Sequence, residues 1–178
     1  MRLFIGIPLA PEVTQQLVAY TGRLKHPGDD VRWSAPDSWH ITLQFLGNTT
    51  PPQYDCVIAS LRRIHAKTFD VRLEGTSFFD RAGVFYVDVP PAPELASLQK
   101  KVTLATQPCG FEPEDRPYHP HITLARNKAH AQGLRRLKPR AGAAPRFSTF
   151  TARDFLLYES HLEPRGSRYE VRERFALS

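Results

Sequence analysis

The tetrapeptide His-Ile-Thr-Leu occurs twice in the chain, at His40 to Leu43 and at His121 to Leu124. Each copy sits in a stretch that reads as a β-strand. His and Thr, two residues apart, therefore share one face, and Ile and Leu share the other. One His-x-Thr word is weak, since 7 histidines in 178 residues give about 0.5 chance matches. The repeat extends upstream, however. Ile7-Pro8-Leu9-Ala10-Pro11-Glu12 is echoed by Val89-Pro90-Pro91-Ala92-Pro93-Glu94, with the prolines Pro8 and Pro90 82 residues apart and the two motif histidines 81 apart. Two elements repeated in the same order and nearly the same register mark an internal duplication.

A duplicated half must bury its apolar face against its twin, which favours two similar lobes with the motif strands facing each other. His40, Thr42, His121 and Thr123 would then converge on a cleft, while Ile41, Leu43, Ile122 and Leu124 anchor the strands in the core. Strands are expected over Arg2 to Ile7, Val31 to Trp33, Trp39 to Phe45, Phe69 to Phe79, Val84 to Val89 and His119 to Ala125. Closing strands are expected over Phe147 to Phe150, Arg153 to Ser160 and Arg168 to Ala176, with residues 161–167 as a connection. Helices are expected over Pro11 to Leu24, Pro52 to Ala66 and Pro93 to Gln107, each beginning at a Pro. Residues 128–144, small and basic, read as a mobile loop with at most a short helix. The fold class is α+β: one bilobal domain over 1–178, mainly antiparallel sheets with helices outside.

Composition sets the setting of the site. The net charge of +6 favours an anionic partner, or else a solvated basic surface. The N-terminal apolar run is too short for a signal peptide, and no segment reaches membrane-span length. Cys56 and Cys109 have neither CxxC nor zinc-like spacing, so two free thiols in a reducing cytoplasm are expected. His26, His65, His119, His130 and His161 have no matching Thr and read as surface or structural. Pro120 is expected to turn His119 away from the strand face of His121. A metal site built from His40, His119 and His121 is disfavoured, because no Asp or Glu is suitably placed and there is no HExxH.

The paired motifs in a chain of this length resemble the 2H phosphoesterase superfamily. The words Arg2 to Pro8, His40 to Gly47, Pro120 to Arg126 and the ending Tyr169 to Leu177 resemble its bacterial RNA 2′,3′-cyclic phosphodiesterases, long called 2′-5′ RNA ligases. The resemblance spans nearly the whole chain. It implies metal-independent, cofactor-free opening of a terminal 2′,3′-cyclic phosphate on RNA to a 2′-phosphomonoester, with possible ATP-independent 2′-5′ ligation. It also implies His40 as proton donor and His121 as proton acceptor. Thr42 and Thr123 would bind the non-bridging phosphate oxygens. Arg126 follows the second motif where Phe45 follows the first, so substrate binding is expected to be asymmetric: Arg126 on a phosphate, Phe45 against a base or else in the core. RNA ends or nucleotides are the expected partners of a monomer with no membrane and no obligate protein partner. The alternatives are a non-catalytic nucleotide-binding module and a phosphodiesterase of small cyclic nucleotides.

Overall fold

In the computed structural model, residues 1–128 and 132–178 are described. His130 and the middle of the loop expected at 128–144 lie outside them. The chain runs β1 (Arg2–Pro8), α1 (Pro11–Leu24), β2 (Val31–Trp33), β3 (His40–Asn48), α2 (Pro51–Leu61), β4 (Phe69–Val71), β5 (Thr76–Phe79) and β6 (Val84–Asp88). It continues with α3 (Pro93–Thr106), β7 (His121–Asn127), α4 (Gly133–Ala141), β8 (Phe150–Ala152), β9 (Asp154–Glu163) and β10 (Gly166–Ala176). This is an α+β fold of two four-stranded sheets, ordered β10-β9-β1-β3 and β2-β7-β6-β5, with a small β4-β8 ribbon. Every strand pairing is antiparallel.

The duplication is visible in the pairing. β1 pairs with β3 and β6 with β7, so the strand before each proline word carries its own motif strand. The helix after each begins at the same point of the repeat, at Pro11 and Pro93, where proline's missing N–H leaves no helix bond unmade. Each helix then packs beneath the other lobe's sheet. On α1, the Tyr20 ring lies tilted 6.5 Å from that of Phe85 on β6, and its hydroxyl lies 3.2 Å from that of Thr76 on β5. On α3, the Thr106 hydroxyl donates to Gln44 Oε1 of β3 at 2.7 Å in the interior. This exchange merges both lobes into one continuous apolar core.

Ile41, Leu43, Ile122 and Leu124 are no more than 2% exposed, as alternation requires. Burial of each is worth about 1.5–3 kcal/mol, and this anchoring fixes the motif strands against the cleft. Among the described residues, no helix is long and apolar enough to cross a membrane.

Three local expectations are corrected, and the short helix allowed within 128–144 is found. The run Phe69 to Phe79 is two strands in different sheets, broken at Gly75, whose φ of 71° suits only glycine readily. Residues 133–141 form a helix despite Pro139, because Leu134, Leu137 and Ala141 bury one face and Arg140 is held by Asp29 and the Leu24 carbonyl. Residues 161–167 are not a loop: Leu162 pairs with Ser167 and Glu163 with Gly166, which extends the hairpin to its tip. Finally, Cys56 and Cys109 are bonded to each other rather than free. The packing of α2 on α3 brings their Cα atoms to 5.7 Å, within disulfide range, across a sequence separation that no local spacing rule detects.

Candidate active site

The two sheets meet along β3 and β7, and a cleft of about 530 Å³ opens between them. All six residues singled out in the sequence line it: His40, Thr42, Phe45, His121, Thr123 and Arg126. His and Thr arrive there by simple alternation. Phe45 and Arg126, five residues beyond their histidines, should by alternation face the core. A bulge in each motif strand reverses this. Ile5 pairs with Gln44 and Gly6 with Thr42, so Leu43 is skipped; Phe85 pairs with Ala125 and Tyr86 with Thr123, so Leu124 is skipped. The extra residue flips the face beyond it. Phe45 is 63% exposed as a result, which settles its place in the cleft and not in the core.

The imidazoles are held identically. His40 Nδ1 lies 2.7 Å from the Ser38 carbonyl and His121 Nδ1 lies 2.8 Å from the His119 carbonyl. A carbonyl only accepts, so Nδ1 carries the hydrogen in both rings and Nε2 is the atom that exchanges protons. His40 Nε2 lies 2.9 Å from the Thr42 hydroxyl. The Tyr118 hydroxyl, from the strap leading into the second motif, donates to the Thr42 carbonyl at 2.7 Å and ties the lobes together beside the site.

Their surroundings differ. His40 is walled by Phe4, Tyr169 and Tyr158, with ring centroids 4.6, 5.5 and 5.8 Å away. Burial drives its pKa down to about 4, helped by the positive charges of His121 and Arg126 and opposed by the bond to Ser38. His121 is held below the usual histidine value, chiefly by burial and further by His119 and Arg126, while its carbonyl bond and Asp88 pull the other way. At neutral pH both imidazoles of the protein alone are therefore largely neutral.

His119 is the residue that the sequence reading misplaced. Its ring sits 6.1 Å from that of His121, and its Nε2 is 3.1 Å from Asp88 Oδ1. Asp88 is the β6 partner of His121. The same residue thus supplies the carbonyl that orients His121 and a side chain pinned to the neighbouring strand. Only the strand pairing reveals this. His40, His119 and His121 do not form a three-ligand metal group; among the described residues, the one such group is Glu159, His161 and Glu170. Glu159 there is already paired with Arg172 at 2.7 Å.

Gly6, on β1 behind His40, leaves room that any side chain would take. A Cβ there would lie 3.0 Å from the Ile41 carbonyl and 3.2 Å from His40 Cδ2. Gly6→Ala is expected to displace the imidazole and lower kcat about tenfold or more, and to lower the melting temperature as well, because the Ile41 carbonyl is backbone of the paired strand and must also give. Steady-state kinetics alongside thermal unfolding would check this. An unchanged kcat would show that the ring tolerates the crowding.

Comparison with known proteins agrees with this geometry. The family model of the 2′-5′ RNA ligase superfamily matches residues 11–163. The RNA 2′,3′-cyclic phosphodiesterase of Geobacillus stearothermophilus is 30% identical over 98% of this chain, which spans only 56% of that protein's length. The RNA 2′,3′-cyclic phosphodiesterase of Thermus thermophilus is 31% identical over 99% of this chain and 90% of its own. The crystal structure of E. coli LigT complexed with 3′-AMP superposes with a TM-score of 0.84 at 26% identity, covering 99% of this chain and 98% of that one. With its duplicated lobes and paired His-Thr strands, this chain belongs to the 2′-5′ RNA ligase superfamily.

Proposed function

We propose that the chain is a metal-independent RNA 2′,3′-cyclic phosphodiesterase, opening a terminal cyclic phosphate to a 2′-phosphomonoester. The observation that carries this reading is the matched pair of imidazoles, each with Nδ1 fixed on a carbonyl two residues upstream, in a cleft that no Asp or Glu among the described residues lines. Two proton-transfer groups flank a space fit for a phosphate, with two hydroxyls and a guanidinium beside it.

In the proposed step, water attacks phosphorus and His121 Nε2 takes its proton. The bond from phosphorus to the ribose 3′-oxygen breaks, and His40 Nε2–H protonates that oxygen. Thr42 and Thr123 donate to the non-bridging oxygens as charge develops, and Arg126 adds a charged contact to the same phosphate. Phe45 offers its face to the terminal base. The same machinery accepts a ribose 5′-hydroxyl in place of water, which gives a 2′-5′ linkage. The assignment of donor and acceptor rests on the family resemblance, since the two motifs are near-symmetric. An RNA substrate supports the cytoplasm as the compartment.

The test is product analysis. With EDTA present, a cyclic-phosphate-ended oligonucleotide is expected to give only the 2′-phosphomonoester, read by phosphorus NMR. A 3′-phosphate product would mean that the other ester bond breaks. Loss of activity on chelation would replace the histidine mechanism with a metal-assisted one.

A further inference from the structure

The cleft does not end at the histidines. Along β3 it runs from His40 past Phe45 to Gly47. The eight residues of strand from His40 to Gly47, shortened by bulges, span about 20 Å. A stacked base occupies about 3.4 Å of that length, so one nucleotide at the His-Thr end leaves the outer end open. Arg2, Ser160, Leu162 and Ser167 line that outer end. They converge because Leu3 pairs with Glu159 on β9 and Leu162 with Ser167 on β10, which places the start of β1 and the tip of the β9–β10 hairpin together.

Two features of this end call for an occupant. Leu162 is 77% exposed, and it and Phe45 are the two most exposed large apolar side chains among the described residues. Both face the same cleft. The second feature is charge. Arg2 and Arg126 are the two arginines lining the cleft, and neither has a carboxylate within 4.0 Å among the described residues; many surface arginines share that state, so what marks these two is their place in the cleft. An exposed aromatic face, Phe45, followed by an exposed apolar one, Leu162, beside two cations and with no acidic lining among the described residues suits single-stranded nucleic acid.

We propose that Arg2, Leu162, Ser160 and Ser167 form a second nucleotide subsite, which takes the residue preceding the cyclic-phosphate nucleotide. Arg2 meets the phosphodiester joining the two nucleotides, and Leu162 lies against the second base. The proposal rests on the cyclic phosphodiesterase reading and makes the substrate class an oligonucleotide end instead of a mononucleotide.

The test compares kcat/KM for 2′,3′-cyclic AMP, a cyclic-phosphate-ended diadenylate and the corresponding triadenylate. The wild-type protein is expected to prefer the dinucleotide to the mononucleotide by about tenfold, with little further gain from the third residue. Leu162→Asp is expected to remove most of that preference and Leu162→Met to keep it; Leu162→Ser serves if the Asp variant melts early. Arg2→Gln is expected to weaken the preference and its dependence on salt. A wild-type protein with equal kcat/KM for mono- and dinucleotide, or an Asp variant with an undiminished preference, would overturn the subsite while the reaction stands. Failure to open any of the three would overturn the reaction and the subsite with it.

Discussion

Replacing either motif histidine with alanine is expected to lower kcat about 10³- to 10⁴-fold while the protein still folds. The effect should be of this size for both, because each ring contributes one proton transfer and the lining offers no carboxylate to substitute for it. Folding should survive, since the apolar neighbours Ile41 and Ile122 carry the anchoring and the imidazoles face the cleft. Removing His40 also relieves burial of a polar ring among Phe4, Tyr158 and Tyr169, so His40→Ala should not melt earlier than wild type. The two variants can be told apart chemically. A substrate whose leaving 3′-oxygen is replaced by sulfur needs no proton on departure. The donor's variant should then regain most of its rate, and the acceptor's should not. Rescue of His40→Ala supports the proposed roles; rescue of His121→Ala reverses them. Near wild-type activity in both variants on the natural substrate would end the histidine mechanism.

The parts of the site that follow from alternation were legible in the sequence. His40, Thr42, His121 and Thr123 share a face because strands repeat every two residues, and Ile and Leu between them report the buried side. Phe45 and Arg126 were legible only as an asymmetry, since nothing in the residue pattern marks the bulges at Leu43 and Leu124 that turn them into the cleft. His119 was read wrongly for a related reason. Pro120 does end the ladder, and β7 starts at His121, but Asp88 on the adjacent strand recovers the His119 ring. The Cys56–Cys109 bond and the α4 helix likewise depend on partners 53 residues distant in one case and on Asp29 and Leu24 in the other. Local patterns predicted elements that carry their own period. Contacts made between elements were not legible, and these include the exchange of α1 and α3 between lobes.

The pH dependence of kcat/KM is expected to reach its maximum on the acid side of neutrality and to fall about tenfold per unit once above it. The reaction needs one proton on the histidine pair, and kcat/KM reports the free protein. Burial holds both imidazoles below the ordinary value, His40 at about 4, so the singly protonated pair becomes scarce as pH rises through neutrality. A bound phosphate places negative charge between the rings, which favours the imidazolium and raises both pKa values. The maximum of kcat should therefore lie at higher pH than that of kcat/KM. The acid side has its own limit. Because His40 in the unfolded chain takes up its proton near 6.5 and the folded one only near 4, the unfolded state binds more protons across that window, and stability declines as pH falls through it. Profiles should be taken with unfolding monitored at each pH. His119→Gln supplies the internal control: it removes a neighbour that lowers the His121 pKa and leaves Asp88, which raises it. The alkaline limb of kcat/KM should then move to higher pH. A profile flat from pH 5 to 8, or one that His119→Gln shifts downward, would show that the rate does not follow protonation of this pair.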